Sequence, residues 1–194
     1  GGGGGEVGAG GLGGGGGGGV REQAGLAAVV EREVLRDGEE TLGRGEEVTA
    51  GVVEAVFEAL IAEGVALELM VLKPNMVISG KECPVQASAR QVAEATVRCF
   101  RRTVPAAVPG IMFLSGGQSD VQATENLNAI NALSAHHPWV FSFSYGRALQ
   151  APALKAWGGK QENVAAGQRA LHKRALLNGA ACRGEYQAQM EQAA

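Results

Sequence analysis

Val65-Ala66-Leu67-Glu68-Leu69-Met70-Val71-Leu72-Lys73-Pro74-Asn75-Met76-Val77 is an apolar run interrupted near its end by one lysine and one proline. Its length and aliphatic content predict a buried strand over Val65–Lys73. By the two-residue period, Leu67, Leu69, Val71 and Lys73 share a face, so the lysine points where those apolar side chains point, at the strand's carboxyl end. A buried ammonium is costly to hold. A lysine in such a place is neutralised, paired, or used as an amine nucleophile. Pro74 fixes the turn that follows.

Outward from this strand, the chain alternates two periodicities. Gly25 to Glu31 is short, apolar and opens on Gly, which predicts a buried strand. Glu46 to Glu63 reads as a helix, with Val48, Val52, Val56 and Leu60 four residues apart and Gly64 as its stop. Ser88-Ala89-Arg90-Gln91 is a capping box opening a helix to about Arg102. Pro105 and Pro109 punctuate the turn to a third strand, Gly110–Leu114. Ser119-Asp120-Val121-Gln122 repeats the capping pattern for a helix through about Leu133, and Trp139–Ser144 reads as a fourth strand. A last helix is expected from Gln161 to Asn178, closed by Gly179. The order β-α-β-α-β-α-β-α predicts an α/β fold with a parallel sheet or a stretch of (β/α) barrel. Four strands cannot close a barrel that needs eight.

Composition narrows the function classes. Of the first 19 residues 15 are Gly, so the tract 1–19 has almost nothing to bury and is expected to be disordered. Residues 20–194 have ordinary globular composition. The chain opens on Gly rather than Met, which we read as the mark of a fragment. A net charge of −3 without a long basic run points to neither nucleic acid nor an anionic membrane as partner. No apolar stretch approaches the roughly 20 residues needed to span a bilayer. Cys83, Cys99 and Cys182 are odd in number and scattered, which fits free thiols in a reducing compartment. No His, Cys and Asp cluster has metal-ligand spacing. His136 and His137 precede Pro138 on what reads as an exposed loop, and carry no assigned role.

The polar candidates fall at strand carboxyl ends, where (β/α)-barrel enzymes keep their active sites. Glu31 ends the first strand, with Glu33 just beyond; Lys73 ends the second, Ser115 the third, and Ser144 with Arg147 the fourth. Ser115-Gly116-Gly117 is poor in side chains, so its backbone N–H groups can approach an anion. Ser144-Tyr145-Gly146-Arg147 adds a hydroxyl, an open backbone position and a guanidinium, the group best shaped for phosphate oxygens.

Three strings in this order, Leu72-Lys73-Pro74-Asn75-Met76-Val77, Ile111-Met112-Phe113-Leu114-Ser115-Gly116-Gly117-Gln118-Ser119 and Phe143-Ser144-Tyr145-Gly146-Arg147-Ala148-Leu149-Gln150, resemble the carboxyl-terminal half of class I fructose-bisphosphate aldolases. The resemblance runs from Arg21 to Tyr186. It implies a TIM (β/α)8 barrel of which only about the last four β/α units are present. It further implies a lyase of glycolysis and gluconeogenesis that cleaves fructose 1,6-bisphosphate reversibly into dihydroxyacetone phosphate and glyceraldehyde 3-phosphate, by imine chemistry that uses no metal and no organic cofactor.

In that family Lys73 is matched to the Schiff-base lysine and Glu31 to a proton-moving acid/base, with Glu33 beside it. Ser115, Gly116, Gly117, Ser144, Gly146 and Arg147 are matched to residues holding one phosphate of the sugar. The family usually has Pro between the two carboxylates; this chain has Arg32, a cation able to pair with either. The expected partner is a phosphorylated sugar, the family is commonly homotetrameric, and the expected location is the cytoplasm, with the plastid as alternative. A second reading, in another class, is a catalytically incompetent half-barrel serving as a phosphate-binding or interaction module.

Overall fold

The computed structural model describes residues 27–133 and 137–192. The Gly-rich tract 1–19, residues 25 and 26 of the first expected strand, and His136 lie outside them. The described chain runs β1 (Ala28–Arg32), α1 (Leu42–Ala62), β2 (Met70–Pro74), α2 (Ala89–Thr103), β3 (Gly110–Phe113), α3 (Asp120–Ala132), β4 (Val140–Phe143), α4 (Arg147–Trp157) and α5 (Val164–Ala181). All four strands are parallel and lie in the order β1-β2-β3-β4, so each helix carries the chain to the next neighbouring strand. The expected α/β architecture with a parallel sheet is what forms.

One face of the sheet meets the helices and holds the core. Met70, Leu72, Ile111, Phe113 and Phe141 alternate onto it and are almost fully buried. Phe113 stacks between Phe100 of α2, with ring centroids 6.0 Å apart, and Phe141 at 5.7 Å. From α1 the buried stripe is Gly45, Thr49, Val53, Val56, Phe57 and Leu60. Such spacing puts one helix face against the sheet. The other sheet face is open among the described residues: Val29 is 49%, Met112 37% and Val140 70% exposed.

Several local expectations are corrected. The second strand does not begin at Val65; Leu67–Leu69 is a 3-10 turn closed by Leu69 N–H on Ala66 O at 3.1 Å, so Leu67 and Leu69 do not share a strand face with Lys73. Helix α1 starts at Leu42, before the expected Glu46, capped by Thr41 Oγ1 on Arg44 N–H. Gly43 and Gly45 weigh against helix by propensity, but packing overrides it. A Cβ on Gly45 would strike the Arg36 guanidinium and lie 2.9 Å from Ile78 O. Helix α4 was not foreseen; Pro152 lies inside it, where proline ordinarily disfavours helix. Gly179 does not stop α5, and the left-handed turn after that helix falls at Gly184, φ +69°.

The capping box at Ser88 forms as expected, with Ser88 Oγ accepting from Gln91 N–H and Gln91 reaching back to the Ser88 N–H. Ser119 caps α3 through Gln122 N–H at 3.1 Å. His137 is not on an exposed loop: its ring lies 4.5 Å from that of Phe141, and Nδ1 is 2.8 Å from Trp139 O.

Cys99 sits in α2 against α1, and burial, reinforced by the nearby Glu46 carboxylate, pushes its thiol up to about 11. Thiolate is the reactive form. Iodoacetamide at pH 8 should therefore label the half-buried Cys182 of the native chain and leave Cys99 untouched until urea unfolds it. Mass analysis of the two peptides checks this; equal labelling in the native state would contradict it.

Candidate active site at the strand carboxyl ends

The parallel register brings Glu31 opposite Lys73. Both side chains leave the sheet on its open face, and Lys73 Nζ lies 3.0 Å from Glu31 Oε1. The lysine side chain is 19% exposed and the glutamate 55%. Of the three fates open to this lysine, the structure displays pairing. Glu33 is exposed beyond the strand end and is not a partner of the ammonium. Arg32 pairs with neither carboxylate among the described residues. The pleat accounts for this: Glu31 and Glu33 leave one side of the strand, Arg32 the other.

Backbone pairing continues beyond the strands and aligns the loops that follow. Leu114 N–H donates to Pro74 O at 3.0 Å and Ser144 N–H to Phe113 O at 2.8 Å. The segments after Lys73, before Ser115 and at Ser144 are thus stepped side by side at one end of the sheet. Ser115 is 6% exposed. Gly116 and Gly117 follow at φ +58° and +78°, a region that side chains with a Cβ enter at a penalty of about 1–2 kcal/mol. Gly146 caps α4: its carbonyl takes the Leu149 and Gln150 N–H groups at 3.2 and 3.0 Å, and the N–H groups of Arg147 and Ala148 lie ahead of the first intrahelical bond. Arg147 is the first residue of that helix and is exposed. The structure therefore gathers Lys73, Glu31, Ser115, Gly116, Gly117, Ser144, Gly146 and Arg147 at one end of the sheet, and leaves Glu33 at the margin.

Three supporting residues had no role in the sequence reading. Asn75 is 4% exposed and accepts from Val34 N–H at 3.1 Å while its amide donates to Met76 O and Thr49 Oγ1. It ties the loop after β1 to the loop after β2, next to Lys73. Gln118 donates to Ser115 O at 2.9 Å and accepts from Asn126 Nδ2 at 2.6 Å, bracing the Ser-Gly-Gly turn against α3. Tyr145 donates its hydroxyl to Ala123 O at 2.9 Å, and burial pushes that phenol far above its ordinary range. The available signal was an amide or phenol beside a predicted site loop; the partners, all distant in sequence, were not legible.

A groove of about 410 Å³ lies beside Arg147, lined also by Gln118, Ser119, Asp120 and Lys155. A larger one, about 910 Å³, runs along α5 past Arg169, His172, Leu176 and Met190, and contains none of the expected site residues. Size alone does not locate chemistry, and the converging polar groups do. Among the described residues no group of three or more His, Cys, Asp or Glu could hold a metal ion, and no helix is long and apolar enough to cross a membrane.

Comparison with known proteins agrees with the fold. The family described as "Glycolytic: Fructose-bisphosphate aldolase class-I" matches residues 18–194. Fructose-bisphosphate aldolase B of Gallus gallus is 54% identical over 165 residues, 85% of this chain and 45% of the chicken protein. Fructose-bisphosphate aldolase 2 of Caenorhabditis elegans is 54% identical over 162 residues, 84% and 44% of the two chains. A fructose-bisphosphate aldolase from Plasmodium falciparum, solved with TRAP and a small-molecule inhibitor, superposes with a TM-score of 0.81 at 50% identity, covering 84% of this chain and 47% of that one. The chain spans less than half the length of these relatives, and its four-stranded sheet is a partial TIM barrel. The chain belongs to the class-I fructose-bisphosphate aldolase family, whose members are carbon–carbon lyases.

Proposed function

We propose that this protein works as a Schiff-base fructose-bisphosphate aldolase, cleaving fructose 1,6-bisphosphate reversibly into dihydroxyacetone phosphate and glyceraldehyde 3-phosphate. The observation that carries the reading is the Lys73–Glu31 pair, 3.0 Å apart across adjacent strand ends, at the end of the sheet that also bears the Ser115-Gly116-Gly117 turn, whose two glycines take positive φ. Attack on a ketone needs the neutral amine, and Glu31 is placed to take its proton. Loss of water from the carbinolamine leaves an imine, the electron sink for breaking the neighbouring carbon–carbon bond. Ser115, Gly116, Gly117, Ser144, Gly146 and Arg147 hold the phosphate of the ketone half through N–H groups, hydroxyls and a guanidinium. Glu33 is a second, outer carboxylate for proton traffic. The free thiols Cys83, Cys99 and Cys182 fit a cytoplasmic location, with the plastid as alternative.

The test is borohydride reduction in the presence of dihydroxyacetone phosphate. A reduced adduct on the peptide bearing Lys73 is expected; no mass shift there, in a chain shown to be folded, rejects the mechanism.

A second reading is favoured by the exposure of Val29, Met112 and Val140 on the open sheet face. In it the chain is a non-catalytic half-barrel that binds phosphate or a partner. Phosphate binding without aldol cleavage, together with a broad, uncooperative melt, supports it; a sharp melt with measurable cleavage removes it.

A further inference from the structure

The loop after β2 is stitched to the loop after β1 by three backbone hydrogen bonds. Gly80 N–H donates to Glu40 O at 2.8 Å, Lys81 N–H to Arg36 O at 2.9 Å, and Glu82 N–H to Gly38 O at 3.0 Å. Gly80 permits the approach, since a Cβ there would collide with Gly38 O and the Glu40 carboxylate. This stitching fixes where Lys81 starts and which way it runs. Its ammonium donates to Asp37 Oδ1 at 2.5 Å. Its stem crosses the Ser115–Gly117 turn: a Cβ on Gly117 would lie 2.9 Å from Lys81 Cε and 3.3 Å from Nζ. A cation 44 residues away in sequence from its carboxylate partner therefore rests on the turn whose N–H groups face the candidate phosphate site.

Asp37 has a second cation within range. Its carboxyl is held below the usual carboxylate range by the hydrogen bond and charge of Lys81 and, more weakly, by the charge of Arg147. One carboxylate thus pairs with the cation of the β2 loop and feels, more weakly, the charge of the cation that opens α4. The Lys81 side chain is 53% exposed and that of Asp37 67%, so water competes for both. Exposed pairs of this kind hold weakly. A phosphoester, with nearly two charges and three acceptor oxygens, is the stronger partner for a flexible ammonium.

We propose that Lys81 is a further anion-binding residue of this site and that Asp37 is its internal counter-ion, displaced when a phosphate docks on the Ser115–Gly117 turn. The proposal deepens the aldolase reading and rests on that turn taking a phosphoester. The lysine stem can swing from Asp37 towards the anion without backbone movement, because Gly117 presents no side chain in its path. Lys81 then adds to phosphate affinity and Asp37 subtracts from it.

The test is a phosphorus NMR titration of the full 194-residue chain with inorganic phosphate at low ionic strength. Lys81→Met should weaken binding roughly fivefold, the upper range for an exposed charge pair, and Lys81→Arg should restore most of it. Asp37→Asn should tighten binding about twofold or more, because the competitor is gone. The differences should collapse in about 0.5 M KCl. Circular dichroism shows that each variant is folded, with Lys81→Gln in reserve.

Unchanged binding in a folded Lys81→Met chain overturns the proposal, as does Asp37→Asn weakening binding as much as Lys81→Met, which would make the pair merely a loop clamp. Ser115→Ala and Arg147→Met separate the two levels. If they lose phosphate while Lys81→Met does not, the aldolase reading stands and this inference falls. If the unaltered chain takes no phosphate, both fall.

Discussion

Lys73→Met should abolish the borohydride-trapped adduct, and in a chain that cleaves the sugar it should lower kcat on the order of 10⁴-fold or more, the scale seen when a covalent nucleophile is removed. The methionine stem fills the same space on the open sheet face, so packing changes little. The lost ion pair is half exposed on its glutamate side, and its removal should alter stability by less than about 1 kcal/mol. Chemistry and folding thus separate in one variant. A Lys73→Met chain that still acquires the dihydroxyacetone phosphate adduct, on a peptide other than the one bearing residue 73, or that keeps near-normal cleavage, would assign the imine to another amine. Glu31→Gln is the companion: it keeps a hydrogen-bond acceptor near Nζ but cannot take a proton, so binding of the ketone should persist while adduct formation slows.

The second large effect concerns stability rather than chemistry. Glu191, in the 3-10 turn Ala188–Glu191, grips Arg174 of α5 with both oxygens, at 2.9 and 2.7 Å. Arg174 is 3% exposed and also donates to Thr124 Oγ1 and Asp120 O of α3, while Tyr186 donates its hydroxyl to Glu191. Removing one partner of a buried pair leaves the other charge uncompensated, which costs about 3–5 kcal/mol when no substitute exists. Asp120 Oδ2, 3.8 Å from the guanidinium, is a partial substitute here. Glu191→Ala should therefore destabilise the chain by about 2–3 kcal/mol, at or below the lower end of that range. A urea titration reads this as a lower midpoint with unchanged slope. A midpoint equal to that of the unaltered chain would show that the C-terminal turn does not hold α5 to α3. Glu191→Gln, which keeps the acceptor oxygen, should lose less.

Much of the architecture was legible because periodicity and capping are local. The capping patterns at Ser88 and Ser119 place two helices within a residue or two, and the strands at Gly110 and Trp139 are bounded by Pro and loop residues a reader can see. The errors share a cause. Gly43 and Gly45 look like helix breakers until Arg36 and Ile78 are known to press on that turn. Pro152 conceals α4, because a local rule is outweighed by tertiary packing. Val65–Leu69 reads as strand because its residues are apolar, yet the backbone closes a 3-10 turn before the sheet begins.

For the site, residue types at strand ends identified the catalytic candidates, and register then set Glu31 beside Lys73. What no pattern could reveal were long-range partners. Asn75 reaching Val34, Gln118 reaching Asn126 and Lys81 reaching Asp37 depend on which loops the fold lays against each other.

The strand order itself has a consequence for biosynthesis. Every connection returns the chain to the strand just finished, so each new strand emerging from the ribosome meets a ready edge. Assembly can proceed vectorially, one β/α unit at a time, each new strand pairing with the one made just before it. The Ser115-Gly116-Gly117 turn then takes shape only after the neighbouring strand with Lys73 is already docked.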